Sequence, residues 1–155
     1  MTKCRRTNEK NDRQEITDLV ARYADAVNRN DREAWTAIWS EDGIYSLMGG
    51  RKKEGRDAII ALYVQAMESF ESMVQLVHNG TVEVGGDSAT GRWYVSEQQG
   101  LGEDKNFFVI GVYQDRYVRT ADGWKFAERH FDLLYRENRR GEVRGTAFPF
   151  PAAKV

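Results

Sequence analysis

Several residues able to do chemistry stand where the hydrophobic pattern expects apolar ones. His78 falls in step with Val74, Leu76, Val82 and Val84 along a stretch that alternates with Gln75, Asn79, Thr81 and Glu83. A histidine on an apolar face titrates in the range suited to proton transfer near neutral pH. Packed within a core and satisfied there, the same residue does no chemistry. Arg129 falls in step with Ala127, Phe131, Leu133 and Tyr135. A buried arginine needs an acceptor. That acceptor is either a structural acid, such as Asp115 or Glu97, or a negative charge developing on a substrate. His130 and Asp132 belong to the opposite, more polar face, so surface or subunit contact is expected of His130.

A helix supplies the remaining candidates. Ile16, Leu19, Val20, Tyr23 and Val27 are separated by steps of 3, 1, 3 and 4, an amphipathic stripe. At about 100° per residue, Asn28 lies about 120° from Ile16, on the margin of that stripe, whereas Asp25 lies about 180° away, on the wet side. Asn28 therefore overlooks whatever the helix covers, and Asp25 reads as an ordinary solvated residue. Tyr23 lies inside the stripe, and its hydroxyl needs a partner. Tyr45 and Tyr113 read as aromatic lining first and proton donors second. Lining is further expected from Leu76, Trp93, Val109, Phe131 and Leu133.

These residues need elements to hold them. Asp31 is a plausible N-cap for a second helix carrying Ala34, Trp35, Ile38 and Trp39, closed by Asp42-Gly43. Ile44 to Met48 reads as a strand, Gly49-Gly50 as a turn, and Gly55-Arg56-Asp57 as the opening of a third helix. From Ser72 the period changes to two. Gly85-Gly86-Asp87 and Ala121-Asp122-Gly123 are turns between long strands. Met73 and Val77 fall on the otherwise polar side of their strand, and Asn79-Gly80 is itself a hairpin dipeptide. A bulge there accommodates both facts, because alternation resumes at Val82. Helices first and a run of antiparallel strands after them make an α+β fold, with the helices covering the concave face of a curved sheet. The expected organisation is a flexible leader over 1–12, a single domain over 13–137 and a tail over 138–155. In the tail, Phe148-Pro149-Phe150-Pro151 suits an extended clamp as well as disorder.

The totals bound the function. The chain has 155 residues with a net charge of −1, 41% hydrophobic and 30% charged, ordinary values for one globular domain. With a sequence pI of about 6.2, no clustered basic face for nucleic acid is expected. No run approaches the roughly 20 apolar residues of a membrane span, and no apolar stretch follows the basic start MTKCRR. One cysteine, Cys4, makes no internal disulfide, which fits a cytoplasmic location. Two histidines and that distant cysteine make a structural zinc site improbable, and no phosphate loop or dinucleotide fingerprint is present. Neither a metal nor a cofactor is expected.

The hairpin YADAVNRNDREAWTAIWSEDGIY, the later HNGTVEV and the closing VYQDRYVRTADGWKFAER resemble the SnoaL-like branch of the nuclear transport factor 2-like superfamily. The resemblance spans about residues 13 to 136. It implies a cone-shaped α+β barrel with an internal pocket, often a homodimer through the outer sheet face. Within the branch the pattern is nearest to scytalone dehydratase, bile-acid dehydratase and hexachlorocyclohexane dehydrochlorinase, with ATGRWY at 89–94 similar to the bile-acid enzyme. These use an Asp–His dyad to remove a proton and expel water or chloride. By the resemblance, the histidine falls on His78, the aspartate on Asn28, the accompanying tyrosine on Tyr23 and the dehydrochlorinase arginine on Arg129.

The sequence departs from that pattern at the carboxylate. An asparagine can fix a histidine tautomer, but it cannot stabilise the imidazolium. In serine-protease triads the equivalent exchange costs about 10⁴ in kcat. Either the chain is not a standard dyad eliminase, or another acid, Asp115 or Glu97, serves, or Asn28 donates a hydrogen bond to a substrate carbonyl and His78 alone moves the proton. Three readings follow. The first is a cofactor-free lyase or isomerase acting on a mostly apolar, oxygenated small molecule. The second is a binding domain that kept the cone and lost the chemistry. The third is a small subunit that docks a larger enzyme, as in ring-hydroxylating dioxygenases.

Overall fold

The computed structural model describes residues 2–140, with side chains from residue 9 onward; the clamp expected at Phe148 to Pro151 lies outside the described residues. The elements in order are α1 (Thr2–Arg29), α2 (Arg32–Ala37), β1 (Trp39–Leu47), a 3-10 turn (Met48–Gly50), β2 (Arg51–Glu54), α3 (Arg56–Glu68), β3 (Ser72–Gly85), β4 (Ser88–Gly100), β5 (Asn106–Thr120) and β6 (Gly123–Arg139). The class is α+β: helices pack against a curved, unclosed sheet of 6 strands in the order β2-β1-β6-β5-β4-β3. The expectation of a purely antiparallel sheet needs one correction. β1 lies parallel to β6, because the chain returns to β1's other edge only after α3 and four further strands. The remaining pairings are antiparallel.

Local chemistry explains the helical cover. α1 passes through the stretch expected as a leader. Asp12, 6% exposed, accepts a hydrogen bond from the Trp124 indole at 3.3 Å and an ion pair from Arg119 at 2.8 Å, which ties the helix to β5 and β6. Asp31 caps α2 by accepting the Ala34 N–H at 2.9 Å. Trp39 was expected on α2 and instead begins β1, paired with Phe126, because the Ile38 carbonyl accepts the Phe126 N–H at 2.9 Å and draws the chain onto β6. Gly49 and Gly50 turn the chain back at φ of +75° and +72°, a region that favours glycine. Under this cover Trp35 stacks on Tyr63 with centroids 4.3 Å apart, and Tyr23 packs edge-on against Phe126.

Bulges on β3 and β6 decide which of their side chains face inward. On β3, Val77 pairs with Val95 and Gly80 with Trp93, so three steps on β3 oppose two on β4. A Cβ at Gly80 would overlap the Trp93 ring, so glycine is required where the bulge closes. On β6, Glu128 pairs with Arg116 and Phe126 with Tyr117, leaving Ala127 extra; Leu133 pairs with Gly111 and Tyr135 with Ile110, leaving Leu134 extra. Each extra residue inverts the alternation that follows it. The interior of β3 is therefore Met73, Gln75 and Val77 before the bulge and Val82 and Val84 after it. The interior of β6 holds Trp124, Phe126, Arg129 and Phe131, while Tyr135 is 49% exposed.

Candidate functional site

Between α1, α3 and the inner face of the sheet lies a cavity of about 810 Å³. Val27, Leu62, Met67, Phe70, Met73, Val109 and Phe131 supply its apolar walls. Its polar atoms come from Tyr23, Tyr45, Tyr63, Tyr113, Gln75, Gln99 and Glu97, and its mouth carries Arg51, Lys52, Lys53 and Arg136. Among the described residues no group of three or more His, Cys, Asp or Glu is placed to hold a metal ion. No helix among them is long and apolar enough to cross a membrane.

Among the described residues Glu97 is the one carboxyl lining this cavity. It is 8% exposed, and among the described residues no cation pairs with it. Gln75 Nε2 donates to Oε1 at 2.7 Å, and Gln99 Nε2 donates to Oε2 at 2.5 Å. Burial pushes the Glu97 carboxyl above its ordinary range, and the two amide donors pull it part of the way back. A carboxyl raised this way lies closer to neutral pH, where a proton carrier works best.

The phenols around it are donors. Gln75 Nε2 also donates to the Tyr113 oxygen at 3.1 Å, which leaves the Tyr113 proton free for a ligand. The Tyr23 and Tyr45 hydroxyls share one hydrogen bond of 3.0 Å, so one of their two protons remains available. Burial holds Tyr45 and Tyr113 well above the usual phenol range, so both stay protonated. Gln75, 2% exposed, organises the group, although its own Oε1 has no partner.

Arg129 lies behind this wall. It is fully buried and pairs with Asp115 through Nε at 2.8 Å and Nη2 at 2.7 Å. Tyr117 donates to the same carboxylate at 2.6 Å, and Trp93 donates to Tyr117 at 2.9 Å. The guanidinium lies 3.9 Å from the Tyr113 ring centroid, 4.2 Å from Tyr23 and 4.3 Å from Phe126. Burial opposes its charge, but Asp115 more than offsets that and holds its pKa above the ordinary value. Of the two candidate acids, Asp115 is thus committed to Arg129, and neither residue lines the cavity.

The two residues expected to form a dyad do not meet. Asn28 donates through Nδ2 to the Gln75 carbonyl at 2.8 Å and accepts the Gln75 N–H at 2.7 Å. β3 is a sheet edge, and Asn28 satisfies its exposed backbone as a further strand would. His78 lies on the exposed outer face, 2.8 Å from the Ser96 hydroxyl, and does not line the cavity. This corrects the expectation that His78 shares an inward phase with Leu76. Before the bulge the inward residues are the odd-numbered ones, and Leu76 is itself 53% exposed.

Of the other expected residues, Tyr23, Tyr45, Val109, Tyr113, Phe131 and Glu97 line the cavity. Trp93 is buried in the network around Asp115, and Leu133 is 40% exposed beside the second bulge of β6. Gln75, Gln99 and the basic mouth are absent from the sequence-based expectation. A signal for Gln75 existed: it lies between Met73 and Val77, the two apolar residues that broke the assumed alternation. Gln99 continues the phase of Trp93, Val95 and Glu97.

The family description "SnoaL-like domain" matches residues 8–130. A crystal structure of an NTF2-like protein with a cystatin-like fold from Novosphingobium aromaticivorans is 30% identical, with a TM-score of 0.74 over 84% of this chain and 87% of that one. A putative scytalone dehydratase from the same species is 22% identical, with a TM-score of 0.76 over 91% and 94% of the two chains. The hexachlorocyclohexane dehydrochlorinase LinA-type3 from Novosphingobium barchaimii is 20% identical, with a TM-score of 0.78 over 86% and 93%. The last two likenesses speak to the fold alone.

Proposed function

This chain belongs to the SnoaL-like domain family, with the nuclear transport factor 2-like fold, and from that premise we propose that it is a cofactor-independent acid–base catalyst of the lyase or isomerase type. The substrate is a small, mostly apolar molecule bearing carbonyl or hydroxyl oxygen. The observation that carries the reading is Glu97: a buried carboxyl without a cation, oriented by two amides and facing phenol donors. In the proposed reaction Glu97 removes a proton from carbon beside a carbonyl. The electron pair moves onto the carbonyl oxygen, where Tyr113 and the Tyr23–Tyr45 pair donate hydrogen bonds to the developing charge. Return of the proton to another carbon completes an isomerisation. If the electron pair instead expels a β-hydroxyl, which takes its proton from Glu97, one water leaves and the reaction is a dehydration. Arg129 supports the wall from behind through its contacts with both tyrosine rings.

The test is exchange of carbon-bound hydrogen in heavy water, followed by NMR over a panel of hydroxylated and keto ring compounds. Native protein is expected to accelerate exchange or elimination, and Glu97→Gln is expected to lose it while still binding the ligand. Equal rates for the two proteins would overturn the assignment.

A second reading, a non-catalytic small-molecule-binding domain, is favoured by the fate of the dyad positions, since Asn28 is spent on backbone and His78 faces away. Recovery of an intact ligand from native protein, with no turnover across the panel, selects it. In either case the proposed assembly is a homodimer in the cytoplasm. The outer sheet face supports the dimer, with Val74, Leu76, Tyr94 and Tyr135 each between 37% and 53% exposed.

A further inference from the structure

The cavity's mouth has a charge that its interior lacks. β2 is an edge strand, with Arg51 opposite Leu47 and Lys53 opposite Tyr45. Leu47 and Tyr45 both line the cavity, and directly paired residues share a face, so Arg51 and Lys53 stand on the cavity side. Lys52, also at the rim, is neutralised by Glu54 at 2.6 Å. Across the mouth, Arg136 pairs in register with Val109 and stacks 4.0 Å from the Phe107 ring, and both of those residues line the cavity. Among the described residues no carboxylate forms an ion pair with Arg51, Lys53 or Arg136. All three are exposed, so their charges stay hydrated without a carboxylate beside them.

Resting on the reading of this cavity as the substrate site, we propose that the natural ligand is an organic carboxylic acid. Its apolar body fills the cavity, its reacting oxygen lies at Glu97 and the tyrosines, and its carboxylate stays at the mouth between β2 and Arg136. The physical logic is a division of solvent. A carboxylate driven inside would lose its hydration beside a second buried carboxyl. At the rim it remains wet and meets a positively charged lining. A mouth of one charge also concentrates ligands of the opposite charge, an effect that salt screens. An apolar cavity with a neutral rim would give no preference between an acid and its ester.

The experiment compares para-hydroxycinnamate with its uncharged methyl ester, titrated into the full chain at low and high salt. Native protein is expected to bind the acid about tenfold tighter than the ester at low salt, as two or three partly exposed ion pairs allow. High salt is expected to shrink that advantage. The double variant Arg51→Gln, Lys53→Gln is expected to lose most of it with ester affinity unchanged, and Arg136→Gln a smaller part. Equal binding of acid and ester by native protein, or an advantage that survives both sets of substitutions, overturns the proposal. Glu97→Gln separates the two readings: retained acid preference with unchanged turnover in that variant would sink the catalytic reading and leave the ligand class standing. If neither probe binds, the cavity reading fails, and the ligand class with it.

Discussion

Two carboxyls lie buried on neighbouring strands of this protein, and their surroundings assign them opposite parts. Asp115 on β5 is clamped by Nε and Nη2 of Arg129 and by the Tyr117 hydroxyl, away from the cavity. Glu97 on β4 accepts hydrogen bonds from two side-chain amides and lines the cavity. Burial alone therefore does not mark a reactive group. A buried acid with a cation is scaffold, because the guanidinium already occupies both of its oxygens. A buried acid with neutral donors keeps a proton affinity that a substrate can use.

Breaking the scaffold pair has the largest expected effect. Arg129→Met leaves the buried Asp115 carboxyl without its cation and removes a guanidinium stacked on three rings. The expected loss is about 3–5 kcal/mol, read from urea unfolding. A loss below a third of that would mean that the pair is not what holds the sheet interior.

Glu97→Gln attacks the other member. Turnover is expected to fall about 10²–10⁴-fold with the fold intact. The pH dependence sharpens the contrast. Folded Glu97 binds its proton more tightly than the unfolded chain does, from an ordinary value of 4.5. Below that value both states are protonated, and burial of the group adds no charge penalty. As pH rises from there through the raised folded value, the native state is progressively penalised. The stability of Glu97→Gln minus that of native protein should therefore grow with pH over this window, as measured by thermal unfolding. A flat difference would show that Glu97 is not perturbed.

Asn28→Asp has a smaller effect, and its sign is informative. If the position were catalytic, a carboxylate would raise activity. The clamp on Gln75 implies the reverse, since aspartate cannot donate to the Gln75 carbonyl and would set a negative charge against it. The expected cost is about 1–3 kcal/mol, together with a weakened hold on Glu97 through Gln75. A stabilised or more active variant would restore the dyad. His78→Ala should change least, within about 0.5 kcal/mol and with no loss of turnover, because the ring is exposed and bonded only to Ser96. Abolished turnover there would return the histidine to the site.

The fold was legible because its signals are local. The stripe from Ile16 to Val27, the cap at Asp31 and the turns at Gly49-Gly50 and Gly85-Gly86-Asp87 specify their elements within a few residues of chain. The bulge near Asn79 was legible as well, through Met73, Val77 and the Asn-Gly dipeptide. Its consequence is not local: the Val82 phase continued through the bulge would put His78 inward and Gln75 outward, and the register with β4 imposes the reverse. On β6, Ala127 and Leu134 carry no local mark of being extra residues, so the single inward set running from Ala127 to Tyr135 splits.

What the sequence by itself determined is the order of elements, the α+β class and the aromatic content of the core, because capping, turn chemistry and periodicity act over a few residues. The tertiary structure decided which polar groups share a space. The inward phase of a strand depends on its register with a neighbour, and register follows from pairings between residues far apart in the chain. That is why Asp115 received Arg129, Asn28 received the backbone of Gln75, and Glu97 was left in the cavity with two amides.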